Sequence, residues 1–80
     1  ARKLAMKTTK YFDRIRNTPD RRAIKDAWIS QVILNPESRF VQNDGRIRLC
    51  GPVPDRDNRT LRVVLLPDGV TVHDAYFDES

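Results

Sequence analysis

The stretch that decides the fold is TLRVVLLPDGVTVHDAYF, residues 60–77. Its first seven residues are mostly apolar, as is typical of a central strand that is buried on both faces of a sheet. The following Pro67-Asp68-Gly69 has the composition of a tight turn. Beyond this turn, valine, threonine and aromatic residues again favour a strand. We therefore predict an antiparallel hairpin with strands over residues 60–66 and 70–77.

A second hairpin is predicted just before this one, in the segment FVQNDGRIRLC, residues 40–50. An Asp-Gly pair between two β-forming segments is a strong hairpin signal, and Asp44-Gly45 supplies it. After the turn the residues alternate between basic and apolar, so Ile47 and Leu49 should face the core. Gly51 and the prolines that follow it are predicted to end this strand.

Two helices are predicted ahead of the strands. Apolar residues at spacings of three and four indicate a short amphipathic helix over residues 9–16. Pro19 suits the first position of a second helix, and Asn35-Pro36 ends that helix because proline disfavours helical geometry at the preceding residue. The second helix should therefore span residues 19–34. Two N-terminal helices packed on a four-stranded, mostly antiparallel sheet form an α+β fold.

The largest apolar side chain is that of Trp28, on the second predicted helix. It shares one stripe of that helix with Ile24 and Val32, which favours burial over a role in stacking on bases. We expect Trp28 to be the main anchor of the core, largely buried against Val63 and Leu65 of the predicted central strand.

The composition is that of one small domain. Eighty residues leave no room for a second domain, and residues 1–8 are polar and basic, as in a flexible tail. Cys50 is the only cysteine, so a disulfide framework is excluded and a reducing, cytoplasmic location is favoured. No apolar run approaches the ~20 residues of a membrane span, so no membrane partner is predicted.

The net charge of +4 is unevenly distributed. Residues 1–54 contain twelve lysines and arginines against five acidic residues, whereas residues 55–80 contain three against six. The excess of positive charge in the first part, most of it on arginine, suits a polyanionic partner and equally suits a solvated surface. A glycine-rich phosphate loop and a zinc site are excluded, because three separated glycines, one cysteine and one histidine build neither.

Polar side chains on the predicted strands are the remaining candidates for a site. Arg46 and Arg48 should share one face of their strand, because side chains two residues apart point the same way. Arg62 interrupts an apolar strand and needs a partner, for which the structural interpretation is an ion pair with Asp74. Cys50 is interpreted as a small, half-buried thiol rather than a nucleophile.

Short motifs along residues 9–78 together carry a family resemblance. They are Trp28-Ile29, Val32-Ile33, Asn35-Pro36, Asp44-Gly45-Arg46-Ile47-Arg48, Leu61-Arg62-Val63-Val64-Leu65, Asp68-Gly69 and Thr71-Val72-His73-Asp74-Ala75-Tyr76-Phe77-Asp78. This pattern resembles small bacterial proteins related to the BrnT branch of the RelE/ParE toxin superfamily. The resemblance implies a single RelE/BrnT-like domain over residues 9–80, with helices packed on one side of the sheet. Tyr11 and Phe12 stand where related domains often carry a histidine.

The resemblance also implies a function: the toxin-like component of a type II toxin–antitoxin pair, a ribonuclease that cuts messenger RNA without a metal or cofactor. Arg46, Arg48 and Arg62 would hold phosphates and stabilise the charged transition state. His73 would be the general acid or base, or Tyr76 would replace it. We expect His73, rather than Tyr76, to share the face that carries the arginines.

The partners implied are RNA, on or off the ribosome, and a cognate antitoxin protein, and a homodimer is left open. The alternative function is a non-catalytic nucleic-acid-binding or protein-interaction domain that uses the same basic face of the sheet. A protein partner would then dock on an exposed strand edge or a helix groove.

Overall fold

A computed structural model describes residues 6–78 of the chain. The helices of this part are α1 (Lys10–Ile15), α2 (Pro19–Arg22) and α3 (Asp26–Leu34). The strands are β1 (Ser38–Val41), β2 (Ile47–Val53), β3 (Arg59–Leu65) and β4 (Val72–Phe77), with one 3₁₀ turn at Pro54–Arg56. All neighbouring strands pair antiparallel in the order β1-β2-β3-β4. The predicted α+β class and four-stranded sheet are confirmed.

The predicted helix over residues 19–34 is wrong, because the chain breaks it into α2 and α3. Ala23 ends α2, and Lys25 is extended, with φ −82° and ψ 145°. Ile24 lies in the break and is buried, as is Ile29 on α3. Residues five apart on a continuous helix point about 140° away from each other. The break therefore lets both isoleucines reach the same core.

The core lies between α1, α3 and one face of the sheet. We call this the helix face; it carries the buried side chains of Ile47, Leu49, Leu61, Val63, Val72 and Ala75. The strands alternate, so the opposite side, which we call the open face, carries Phe40, Arg48, Cys50, Arg62, Val64, Asp74 and Tyr76. Ile47 and Leu49 thus face the core as predicted.

Trp28 lies at the margin of the core rather than at its centre. Its side chain is half-buried and meets the Phe77 ring edge-on at 6.0 Å, while the indole Nε1–H donates to Asp55 Oδ2 at 3.4 Å. Ile29, fully buried, is the central residue of α3. Trp28 therefore packs against the core as predicted, but it is only partly buried, and Ile29 takes the central place that was predicted for Trp28.

Both predicted turns are present, but two strand ends differ from the prediction. Gly45 and Gly69 adopt φ of +89° and +77°, which glycine favours. β4 begins at Val72, because the Asp68 carboxylate accepts hydrogen bonds from the Val70 and Thr71 backbone N–H groups.

β2 continues past Gly51 to Val53. The Cys50 carbonyl accepts from the Glu37 N–H on the β1 side, so the nitrogen of Pro52 also points to that side. β1 has already ended there, since Ser38 pairs with Cys50. The missing N–H of Pro52 therefore removes no bond from the sheet.

The predicted tail, residues 1–8, lies partly outside the described residues. In its described part, Met6 packs against the core and Thr8 forms a parallel bridge with Val72. Among residues 6–78, no helix is long and apolar enough to cross a membrane.

Candidate functional site

A β-bulge in β4 determines where the single histidine lies. Val64 on β3 pairs with Asp74, but the next residue, Leu65, pairs with Val72, so His73 is the extra residue. The outer edge of β4 is bound by the segment before α1: the Val72 N–H donates to the Lys7 carbonyl at 2.8 Å, and the Thr9 N–H donates to the Val72 carbonyl at 3.0 Å. The bulge and this segment together place His73 beside the start of α1.

Two side chains of the α1 start hold the half-buried His73 imidazole. Its Nδ1 lies 3.2 Å from Thr9 Oγ1, and its ring stacks on the Tyr11 ring with 4.9 Å between centroids and 24° between planes. Thr9 Oγ1 also accepts the Phe12 backbone N–H at 3.0 Å and so caps α1. When Nδ1 carries the proton and donates to Thr9, Nε2 is unprotonated and can accept another proton.

An arginine from α2 binds Asp74, the residue that follows His73 on β4. Arg21 donates from Nε and Nη2 to the two carboxylate oxygens of Asp74, at 2.8 and 3.1 Å, and its guanidinium lies 5.8 Å from the centre of the Tyr76 ring. The hydrogen bond with Asp74 is the main reason that the pKa of Arg21 is raised, and the nearby Tyr11 phenol adds to it. Arg21 is therefore always positively charged, and its Nη1 takes no part in the two hydrogen bonds to Asp74.

These side chains form one group, which we call the β4-edge cluster: Thr9, Tyr11, Arg21, His73, Asp74 and Tyr76. α1, α2 and β4 each contribute to it. The cluster joins an imidazole, two phenols and a guanidinium, the groups that can move a proton and hold a phosphate.

Arg62 is on the open face and pairs with a different residue from the one predicted. It donates to Asp78 Oδ2 at 2.8 Å, and this hydrogen bond raises the pKa of Arg62. The predicted pair with Asp74 is wrong, because Asp74 lies opposite Val64 and pairs with Arg21. Arg62 lies directly opposite Tyr76, and its buried Nε has no hydrogen-bond partner within the described part of the chain.

The other two predicted arginines lie at the far side of the sheet. The Arg48 guanidinium is 5.1 Å from the centre of the Phe40 ring on β1. Arg46 precedes β2 in the hairpin, where its Nε is 3.6 Å from Asp44 Oδ2. Tyr76 thus shares the open face with Arg48 and Arg62, whereas His73 meets Thr9 and Tyr11 at the β4 edge. The expectation that His73, rather than Tyr76, shares the face that carries the arginines is wrong, because the bulge interrupts the alternation of β4 at His73.

Sequence reasoning missed Thr9, Tyr11 and Arg21 as members of the site. Thr9 entered the sequence analysis only as the first residue of the predicted helix, and Tyr11 only as a residue at the position where related domains often carry a histidine. Tyr11 is 46 % exposed, whereas its neighbour Phe12 is 1 % exposed. Phe12 therefore belongs to the core, and Tyr11 is accessible at the surface. No local signal identifies Arg21, because its partner Asp74 is 53 residues away along the chain.

Among residues 6–78, no three or more His, Cys, Asp or Glu side chains are grouped so that they could hold a metal ion. No protein-family model, no curated protein and no solved structure matches the chain.

Proposed function

We propose that the chain is a toxin-like endoribonuclease of the BrnT and RelE kind that cuts messenger RNA without a metal, with the β4-edge cluster as its reacting site. The observation that carries this proposal is the bulge at His73, which presents the only imidazole to Thr9 and Tyr11 and is followed by Asp74, the residue that binds the Arg21 cation. The family resemblance of the strand and turn motifs supports it. The expected partner protein is a cognate antitoxin.

The reaction uses the RNA's own 2′-hydroxyl as the nucleophile. His73 Nε2 takes the proton of that hydroxyl, and the 2′ oxygen forms a bond to the adjacent phosphorus. The bond from phosphorus to the 5′ oxygen of the next nucleotide breaks, and that oxygen takes a proton from a phenol, Tyr76 or Tyr11. Arg21 Nη1 donates to a non-bridging oxygen as negative charge develops there. The products are a 2′,3′-cyclic phosphate and a 5′-hydroxyl.

The direct test is to incubate the purified protein with messenger RNA, with and without ribosomes, in the presence of a chelator. We expect fragments that end in a 2′,3′-cyclic phosphate and begin with a 5′-hydroxyl. Comparison of Tyr11→Phe with Tyr76→Phe then identifies the phenol, because both variants keep the aromatic ring and lose only the proton donor. Intact RNA in both conditions would refute the proposal.

A second candidate function is non-catalytic binding of single-stranded nucleic acid on the open face. It is favoured by the Arg48 guanidinium over the half-exposed Phe40 ring, since exposed aromatic rings stack on bases and arginines bind phosphates. Under this function, Phe40→Ala weakens RNA binding and His73→Gln leaves it unchanged. If Phe40→Ala and Arg48→Gln both bind RNA as the wild type does, the open face is not the binding surface.

A further inference from the structure

A cleft next to the β4-edge cluster is lined by arginines and aromatic rings. It lies between α2 and the ends of β3 and β4 and has a volume of about 460 Å³. Its walls include Arg21, Ala23, Arg56, Arg59, Tyr76 and Phe77, and Asp20 is its one acidic wall residue within the described part of the chain. We call it the arginine cleft.

The loop between β2 and β3 brings two of these arginines onto one ring. Asp57 and Asn58 are left-handed, with φ of 55° and 59°, and the Asn58 N–H donates to the Val53 carbonyl at 3.0 Å. Aspartate and asparagine tolerate this conformation better than other residues with side chains. The tight turn holds the Arg56 and Arg59 guanidinium groups 5.4 and 5.2 Å from the centre of the Phe77 ring.

Arg21 joins the arginine cleft to the β4-edge cluster. It lines the cleft from α2, whereas Arg56 and Arg59 come from the β2–β3 loop and the start of β3. Its guanidinium lies 5.8 Å from the centre of the Tyr76 ring, and its two hydrogen bonds to Asp74 fix its position. A chain of phosphates that leaves His73 past Arg21 would therefore enter the cleft. The cleft combines guanidinium groups, which bind phosphates through several donors, with rings on which bases stack. Its volume lies in the range of small-molecule and nucleotide sites.

We propose that the arginine cleft binds the nucleotide next to the reacting phosphate of a single-stranded RNA. Arg56 and Arg59 hold its phosphodiester, and the rings of Phe77 and Tyr76 form the apolar floor for its base. This inference rests on the proposed function, since RNA is the ligand in both, and it adds the residues that hold the strand.

The test measures binding of a short 2′-O-methylated oligouridine, which lacks the attacking hydroxyl and cannot be cut by this reaction. Ala23→Glu introduces a negative charge into the cleft without removing an existing contact, and it should weaken binding about tenfold. Ala27→Glu is the matched control, because Ala27 is also exposed and lies on α3 outside the cleft.

The second pair of variants removes one cation at a time. Arg56→Gln should reduce the slope of log affinity against log salt by about 0.7, the value for one phosphate contact to a single strand. Arg39→Gln, an exposed arginine on β1, should leave the slope unchanged. Melting temperatures of all four variants confirm that each is folded at the assay temperature.

The outcomes separate this inference from the proposed function. If the wild type does not bind the probe, or if Ala23→Glu and Arg56→Gln bind it as the wild type does, the cleft inference is refuted. Cleavage of unmodified RNA would then still support the ribonuclease. If both cleft variants weaken binding and unmodified RNA stays intact, the cleft inference is supported and the ribonuclease proposal fails.

Discussion

The two edges of the sheet differ in how firmly their side chains are held. At the β4 edge, the segment 7–9 bonds to Val72, and α1 and α2 place Tyr11 and Arg21 against β4. At the β1 edge, all four residues of the strand are exposed. Phe40 there is 55 % exposed, and the interaction that it forms with Arg48 is a single stacking contact.

Because of this difference, the β4 edge is better suited to a reacting group, and the β1 edge is better suited to binding ligands of varied shape. A reacting group must be held close to its productive position by neighbours that are themselves fixed. His73 has two side-chain neighbours, Thr9 and Tyr11, and Thr9 is itself fixed as the cap of α1. An exposed ring such as Phe40, with a guanidinium beside it, can adjust to many ligands. The predictions below test this contrast between the edges, beginning with the largest effect.

The largest effect should come from His73→Gln, measured as single-turnover cleavage of RNA by purified protein. Removing a general acid or base costs roughly 10²–10⁴-fold in rate. Glutamine retains a group that can bond to Thr9, so the fold should survive. Arg48→Gln, at the other edge, is the control and should change the rate by less than about threefold. Equal losses of cleavage rate in the two variants would show that the reacting group is not confined to the β4 edge.

Asp74→Asn should destabilise the protein more than Asp44→Asn, as measured by urea denaturation. The Asp74 carboxylate is 16 % exposed and accepts two hydrogen bonds from Arg21, and loss of its charge should lower the free energy of unfolding by about 1.5–3 kcal/mol. The Asp44 carboxylate is 53 % exposed and 3.6 Å from Arg46, so its loss should cost less than about 0.5 kcal/mol. Similar costs at both positions would contradict the account.

Thr9→Ala should affect stability and cleavage together, because one hydroxyl caps α1 and contacts His73. The lost cap should lower the free energy of unfolding by about 1 kcal/mol. Cleavage should fall as well, and Thr9→Ser, which keeps the hydroxyl, should restore both quantities. A Thr9→Ala protein that is less stable but cuts RNA at the full rate would show that Thr9 does not position His73.

The smallest effect concerns pH and the turn that starts β4. Hydrogen bonds from the Thr71 hydroxyl and the Thr71 and Val70 N–H groups lower the pKa of Asp68 from 3.8 to about 2. Above about pH 4 this carboxylate stabilises the folded state in full, and the contribution is lost as pH falls towards 2, because the unfolded chain binds the proton first. In Asp68→Asn, the free energy of unfolding should therefore fall less steeply from pH 5 to about pH 2 than in the wild type. Identical slopes would contradict this assignment.

The elements that depend on local chemistry could be predicted from the sequence. Asp44-Gly45 and Asp68-Gly69 are turn signals on their own, and the alternation from Ile47 to Leu49 correctly identified the core side of β2. The α2–α3 break could not be predicted, because nothing local opposes a helix at Ala23. Burial of Ile24 and Ile29 in one core requires it.

The site depends on contacts that are distant along the chain, which explains why only part of it was predicted. His73 and Tyr76 were identified by residue type. The bulge at His73 lies within the β3–β4 hairpin, but the Thr9 hydroxyl that His73 contacts is 64 positions away along the chain. The arginine that lies beside them, Arg21, belongs to a helix of four residues whose position against β4 is set by tertiary packing.

The role proposed for His73, held at the bulge, is to carry out RNA cleavage. The most direct measurement is the integrity of cellular messenger RNA after expression of the wild type or of His73→Gln from a tightly controlled promoter. We expect fragmented messages and arrested growth with the wild type, and intact messages and normal growth with an equally abundant His73→Gln protein. Intact messages with the wild type, or equal fragmentation with His73→Gln, would show that His73 does not have this role.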